Sequence, residues 1–238
     1  MVRPRVVDGT GGTRPPAAGR EPPAEYGPSR RRFNAGAAAL AVTIALFAFP
    51  VIAAPQRLLA LGDSLTAGFG LPVEDGFTAQ LGRALKAAGR DVAVINAGVS
   101  GDTTAGGLAR IDWALADKPD AALVALGAND ALRALDPARA EANLDRILAR
   151  LKAAGVPALL VGMLAPPNLG RDYGQAFDGI YARLAERHGV PLYPFFLDGV
   201  AADPKLNQPD GIHPNAAGVA VVVERMLPAV AKLLDAAK

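Results

Sequence analysis

Five short apolar runs, separated by stretches with helical spacing, constrain the fold of this chain more than any other feature. The runs lie at 57–61, 92–96, 121–126, 157–164 and 190–195. Apolar residues recur at helical intervals between and after them, at 77–89, 104–117, 138–155, 173–189 and about 215–236. Strands that alternate with helices form parallel sheets covered on both faces. The pattern therefore predicts an α/β fold, a three-layer α/β/α sandwich with a central five-stranded, mostly parallel sheet.

The first 53 residues follow a different pattern. Residues 1–28 are rich in proline, glycine and arginine without apolar periodicity, which predicts a disordered or over-extended N-terminus. Residues 29–53 have a basic start, an apolar middle and small residues at the end, which is the organisation of a signal peptide. The start, Ser29-Arg30-Arg31-Arg32-Phe33, fits a twin-arginine pattern, and the small residues favour cleavage after Ala53.

This organisation predicts a periplasmic or secreted protein with a single domain over 54–238. The 20 uncharged residues at 35–54 are about long enough to span a bilayer, so a retained membrane anchor is the alternative. The general and the twin-arginine export routes are equally open from the sequence.

Charge and cysteine content reduce the number of functions that are open to the chain. The net charge of +2 comes from residues 1–34, which hold seven arginines and three acids, whereas 54–238 hold 18 basic and 20 acidic residues. We therefore expect no nucleic-acid partner. The chain has no cysteine, which excludes disulfides, thiolate nucleophiles and zinc–thiolate sites.

Ligands of parallel α/β sheets bind beyond the carboxyl ends of the strands, and the first run ends in a chemically useful block there. This block is Gly62-Asp63-Ser64-Leu65. A serine at the start of a helix, after a turn that glycine permits, has an exposed hydroxyl beside free backbone amides, as a nucleophile requires. Capping of the helix by Asp63 or Ser64 is an equally good interpretation of the block alone.

Two further blocks follow the second and third runs. In the block 96–111, Gly101 lies at a strand-to-helix turn, where its backbone N–H can face a cavity and its lack of a side chain admits a substrate. Asp102 or Thr103 is expected to cap the helix that follows. In the block 127–130, Asn129 offers uncharged N–H donors suited to an oxyanion, and an Asx turn that ends the strand is the alternative.

The chain has only two histidines, so the base for a serine nucleophile must be one of them. His188 precedes Gly189 at a predicted helix end, where a cationic or hydrogen-bonding role is expected. His213 lies in a loop with Asp210 three positions earlier, a spacing that lets the carboxylate bind one ring nitrogen while the other faces Ser64. A loop histidine bonded only within its own turn is the alternative.

Together and in this order, the blocks resemble the SGNH (GDSL) hydrolase superfamily, most closely its bacterial arylesterase and thioesterase/lysophospholipase branch. The motifs are "GDSL", "SGDT", "GAND" and "DGIHPN", and the resemblance covers residues 57–235, with Ala128 where glycine is common. It implies the flavodoxin-like fold of SGNH hydrolases. For the site it implies a nucleophile, a base, a residue that orients the base, and an oxyanion hole: Ser64, His213, Asp210, and the donors Ser64 N–H, Gly101 N–H and the Asn129 side chain.

The activity implied by this resemblance is hydrolysis of a small-molecule acyl ester or thioester through an acyl-enzyme on Ser64, without a metal or organic cofactor. A membrane is expected as a partner only through the substrate or an uncleaved N-terminal segment. An acyltransferase, a non-catalytic lipid- or carbohydrate-binding module and a metal-dependent phosphoesterase are the alternatives. The last would use Asp63, Asp102, Asp130 and His213, fewer converging ligands than a two-metal site needs. Small apolar residues in loops 70–76, 131–137 and 165–174 favour an acyl chain as the bound group.

Overall fold

In the computed structural model, which describes residues 54–237, five strands form one sheet in the order β2-β1-β3-β4-β5. The strands are β1 (Gln56–Gly62), β2 (Val92–Gly98), β3 (Ala121–Ala125), β4 (Ala158–Val161) and β5 (Leu192–Tyr193). Every pair is parallel. The chain first winds outward from β1 to β2 and then, from β3 onward, in the opposite direction, which is the flavodoxin-like order. The predicted five-stranded α/β sheet is confirmed, and all of its pairings are parallel.

Helices cover both faces of this sheet. The described residues form α1 (Ser64–Ala67), α2 (Phe77–Ala87), α3 (Thr104–Leu115), α4 (Ala128–Leu132), α5 (Pro137–Ala153), α6 (Arg171–His188) and α7 (Ala216–Ala236). Helix α2 packs on α7, whereas α5 packs on both α3 and α6, so the helices form the two outer layers. The five long helices predicted from the apolar spacing are present. Helix α4 was not predicted, because its five residues are too short to show a helical repeat.

Burial explains why the inner strands read as continuous apolar runs. All five residues of β3 and all four of β4 are buried, as expected for strands covered on both faces. Leu144, Ile147, Leu148 and Leu151 follow helical spacing and bury one face of α5 against this core.

Two strands are much shorter than the sequence predicted, and β3 ends one residue early, at Ala125. Strand β4 ends at Val161 rather than at residue 164, and β5 has two residues instead of six. Pro191 and Pro194 flank β5. Because proline has no N–H for the sheet, it limits this edge strand to the two residues between them.

The beginning of β1 is bonded to the end of α7. The Gln56 side-chain amide donates to the Leu234 carbonyl oxygen at 3.1 Å. Nearby, Arg90 pairs with Asp235 at 2.8 Å. The two ends of the described chain therefore lie together, at the amino ends of the strands.

No helix within residues 54–237 is long and apolar enough to cross a membrane. The disordered N-terminus predicted for 1–28 and the signal peptide predicted for 29–53 lie outside the described residues. The alternative anchor at 35–54 also lies outside them, apart from Ala54.

Candidate active site

Ser64 is the first residue of α1, directly beyond the carboxyl end of β1. Asp63 is fully buried and caps the helix, with its Oδ1 accepting from the Leu65 N–H at 3.0 Å. The turn between β1 and α1 brings Thr66 so close to Gly62 that a Cβ at position 62 would overlap the Thr66 hydroxyl oxygen. Both interpretations of this block therefore hold together: Asp63 caps the helix, and Ser64 lines a pocket at the sheet edge.

A continuous hydrogen-bonded chain joins Ser64, His213 and Asp210. The Ser64 Oγ lies 2.8 Å from the His213 Nε2, and the His213 Nδ1 lies 2.7 Å from the Asp210 Oδ2. The other Asp210 oxygen, Oδ1, accepts from the backbone N–H groups of Ile212 at 2.9 Å and His213 at 3.0 Å. The Phe69 ring packs on the imidazole with 4.6 Å between ring centroids. The histidine is thus held by bonds on both nitrogens and by a ring contact.

The same hydrogen bonds control the ionisation of Asp210. The backbone N–H of His213 contributes most, followed by the His213 ring and the backbone N–H of Ile212, and together they lower the pKa of Asp210 to about 2. An ionised Asp210 accepts a hydrogen bond from the N–H at Nδ1 of His213. The other ring nitrogen, Nε2, then carries no proton, and its lone pair faces Ser64.

Gly101 and Asn129 line the same pocket as Ser64 and His213. Gly101 has a φ of 81°, a left-handed conformation that glycine adopts readily, in the turn closed by the Asp102 N–H to Val99 O bond of 3.0 Å. Asn129 is the second residue of α4, not part of an Asx turn. The structure therefore gathers at one place all five residues that the sequence indicated, with Asp210 behind His213.

Asn129 also contacts the buried carboxylate of Asp63. The Asn129 Nδ2 lies 3.4 Å from the Asp63 Oδ2. Burial raises the pKa of Asp63 to about 6, although the Leu65 backbone N–H, the nearby His213 and the Asn129 amide each favour the charged form. An ionised Asp63 can only accept hydrogen bonds, so the amide nitrogen of Asn129, rather than its oxygen, faces Asp63.

The remaining indicated residues have other partners. Thr103 caps α3 by accepting from the Gly106 N–H at 3.3 Å, so of the two expected caps it is the one that does so. Asp102 pairs with Arg110. His188 bonds to Asp145 at 2.9 Å at the end of α6, in agreement with its predicted hydrogen-bonding role. Within residues 54–237 no three His, Cys, Asp or Glu side chains are grouped so that they could hold a metal ion.

Arg110 is a residue of this region that sequence reasoning missed. Its guanidinium donates to Asp102 Oδ2 at 2.7 Å, to Ala97 O at 2.8 Å and to Gly62 O at 2.8 Å. It therefore ties the carboxyl ends of β1 and β2 to the turn that carries Gly101. Asp102 lies eight positions earlier, before the cap of α3, so no helical spacing in the sequence marked this pair.

The pocket beside Ser64 has a volume of about 290 Å³ and mostly apolar walls. The larger apolar side chains that line it are Leu65, Phe69, Leu132, Met163, Leu164, Phe195, Leu197 and Ile212. Of the three loops expected to shape it, 131–137 and 165–174 contribute lining residues and 70–76 does not. A larger cavity of about 1030 Å³ surrounds the amino ends of β4 and β5 and contains none of the five site residues.

A serine, a histidine and an aspartate bonded in series, beside backbone and amide donors at the edge of a parallel sheet, define a serine hydrolase. Residues 60–221 match the GDSL-like lipase/acylhydrolase family, and the chain belongs to this family. The resemblance drawn from the four motifs is therefore confirmed.

Characterised proteins and solved structures agree with this assignment. Over 183 residues the chain is 42% identical to "Esterase TesA" of Pseudomonas aeruginosa, covering 76% of this chain and 91% of that protein. Over 164 residues it is 43% identical to "Thioesterase 1/protease 1/lysophospholipase L1" of Escherichia coli strain K12, covering 68% and 77%. Its fold matches the crystal structure of AlinE4, described as an SGNH-hydrolase family esterase, with a TM-score of 0.66 and 50% identity over 77% of this chain and 98% of that one.

Proposed function

We propose that the protein is a serine esterase that hydrolyses carboxylic esters and acyl thioesters through an acyl-enzyme on Ser64. The observation that carries the proposal is the pair of hydrogen bonds that runs from Asp210 through His213 to Ser64 at an apolar pocket. The names of the relatives, an esterase and a thioesterase/lysophospholipase, support the same chemistry.

In the first half-reaction Ser64 Oγ attacks the carbonyl carbon while His213 Nε2 takes its proton across the 2.8 Å contact. The imidazolium that forms is stabilised by Asp210, whose lowered pKa keeps the carboxylate charged. His213 then gives the proton to the departing alcohol or thiol. Water repeats the sequence on the acyl-enzyme and releases the acid.

The charge that develops on the carbonyl oxygen requires donors that are already in place. We assign this role to the Ser64 N–H, the Gly101 N–H and the Asn129 amide. Gly101 has no side chain to keep the carbonyl away, and a hydrogen bond of this kind is worth about 3 to 4 kcal/mol in the transition state. The apolar walls of the pocket suit the acyl chain of the substrate, which is the group on the carbonyl carbon opposite the leaving alcohol or thiol.

The test is hydrolysis of p-nitrophenyl esters and acyl thioesters of increasing chain length by the purified protein. Ser64→Ala should lower kcat by about a thousandfold or more. The chain has two other serines, Ser29 and Ser100, and Ser100 lines the same pocket. A fluorophosphonate probe should therefore label the wild type and Ser100→Ala but not Ser64→Ala, and labelling of Ser64→Ala would contradict the assignment. Acyl transfer to an added alcohol in preference to water would favour an acyltransferase instead.

We also propose that residues 29–53 direct export and are removed after Ala53, so that the enzyme acts in the periplasm or outside the cell. The support is the basic, apolar and small-residue order of that segment. Mass spectrometry of the protein from its native host should find an N-terminus at Ala54. Recovery of the intact segment in the membrane fraction would show that residues 35–54 anchor the chain.

A further inference from the structure

Helix α4 carries one donor of the proposed oxyanion hole and also holds the segment that carries another. Asn129 belongs to this helix, while Gly101 lies in the turn before α3. These two segments follow β3 and β2, which pair with β1 on opposite sides and not with each other. The sheet alone therefore fixes the separation of the two donors only indirectly, through β1.

Asp130, the residue after Asn129, makes the first direct link. Its Oδ2 accepts from the Thr104 backbone N–H at 2.8 Å, and its Oδ1 accepts from the Thr104 hydroxyl at 2.6 Å. Both residues are buried, and Asn143 donates to the same hydroxyl at 3.0 Å. The Thr104 N–H is one of the free donors at the start of α3, where a carboxylate is favoured. A buried carboxylate bonded in this way fixes α4 against the start of α3.

Arg133 makes the second link, from the end of α4. Its guanidinium donates to the Gly101 carbonyl oxygen at 2.7 Å. Gly101 is in a left-handed conformation, and glycine has the largest backbone freedom of any residue. A bond to its carbonyl oxygen limits rotation of the turn whose N–H is assigned to the oxyanion.

We propose that Asp130 and Arg133 are positioning residues that set the separation between the Gly101 and Asn129 donors. This inference rests on the proposed function. One oxyanion must lie about 2.7 to 3.1 Å from each donor, so the two donors have to keep a fixed separation. Because α4 carries Asn129 and bonds to both ends of the segment 101–104, a shift of the helix moves both donors together.

The first test compares Thr104→Val with Thr104→Ser. Valine has nearly the shape of threonine but lacks the hydroxyl, whereas serine keeps the hydroxyl that bonds Asp130. We expect Thr104→Val to lower kcat on a short p-nitrophenyl ester by about tenfold or more with a smaller change in KM, and Thr104→Ser to restore most of it. In an Asn129→Ala background the effect of Thr104→Val should shrink, because only one of the two donors remains.

Arg133→Gln provides a second test that does not disturb a buried site. Its matched control is Arg83→Gln, because Arg83 is also an exposed arginine that donates to a backbone carbonyl oxygen, that of Glu74. Arg133→Gln should lower kcat several-fold and slow fluorophosphonate labelling, whose P=O group occupies the oxyanion position, while Arg83→Gln should do neither.

The outcomes separate the two proposals. Normal kcat in both Thr104→Val and Arg133→Gln, with only a lower melting temperature, would show that these contacts are purely structural and overturn the positioning role. A wild-type protein that hydrolyses no ester and resists the fluorophosphonate would instead overturn the proposed function.

Discussion

Replacing Asp210 with asparagine should inactivate the enzyme while leaving the site in place. Asp210 Oδ1 accepts two backbone N–H groups, at 2.9 and 3.0 Å, and Oδ2 accepts from the His213 ring at 2.7 Å. In Asp210→Asn the amide oxygen keeps the two backbone bonds. The opposite orientation would set the amide NH2 group against the two backbone N–H groups, donors against donors, and leave the amide oxygen with neither bond. The amide nitrogen must therefore face His213.

An N–H group facing Nδ1 reverses the tautomer of the histidine. Nδ1 becomes the acceptor, the ring proton moves to Nε2, and no lone pair faces the Ser64 hydroxyl. The imidazolium also loses the carboxylate that stabilises it. We expect kcat to fall by about a thousandfold to ten-thousandfold, or about 4 to 5.5 kcal/mol of barrier. The pKa of Asp210 is lowered to about 2, so the wild-type carboxylate is charged throughout an assay near neutral pH.

The assay is kcat on a short p-nitrophenyl ester, measured beside a thermal melting curve. Asp145→Asn is the matched control, since Asp145 bonds the other histidine, His188, at 2.9 Å, outside the active-site pocket. It should keep wild-type kcat. A folded Asp210→Asn protein with kcat within about tenfold of the wild type would refute the tautomer argument.

Three further variants test other parts of the structure. Asn129→Ala should lower kcat by about a hundredfold to a thousandfold with little change in KM if its amide stabilises the oxyanion, whereas a lower melting temperature with unchanged kcat would remove it from the hole. Burial raises the pKa of Asp63 from 3.8 to about 6, so its contribution to stability is full below about pH 3.8 and is lost as the pH rises through 6. The free energy of unfolding of the wild type relative to Asp63→Asn should therefore fall by about 3 kcal/mol between pH 3.5 and 7.5 in urea titrations, and a rise would contradict the burial argument. A Cβ on Gly98 would overlap the backbone of Ala67 at the end of α1, so Gly98→Ala should reduce the free energy of unfolding by about 2 kcal/mol. An unchanged midpoint of urea unfolding would show that α1 moves aside without a cost in stability.

Much of the fold could be predicted from the sequence because its signals are local. The apolar run at 121–126 is longer than a turn and buried on both sides, and it forms β3 as expected. The run at 190–195 is equally apolar, but its two prolines limit β5 to two residues. Apolar content alone does not distinguish a strand from a partly exposed loop.

The proximity of Asp210 and His213 could be predicted because they are three residues apart in one loop. The contacts of Arg110 and Arg133 could not, because both donate to backbone carbonyl oxygens, which every residue has and no motif marks. Asp130 was recognised only as a possible metal ligand, since its real partner, Thr104, lies 26 positions away.

The bond between Gln56 and Leu234 makes the domain a good candidate for circular permutation. A short linker could join the start of β1 to the end of α7, and new ends could be opened at the exposed turn around Gly155, between α5 and β4. Both the linker and the new ends would lie at the amino ends of the strands, opposite the pocket that Ser64 lines. A permuted enzyme could therefore be fused to a carrier or fixed to a surface through either end with the mouth of its pocket still open to substrate.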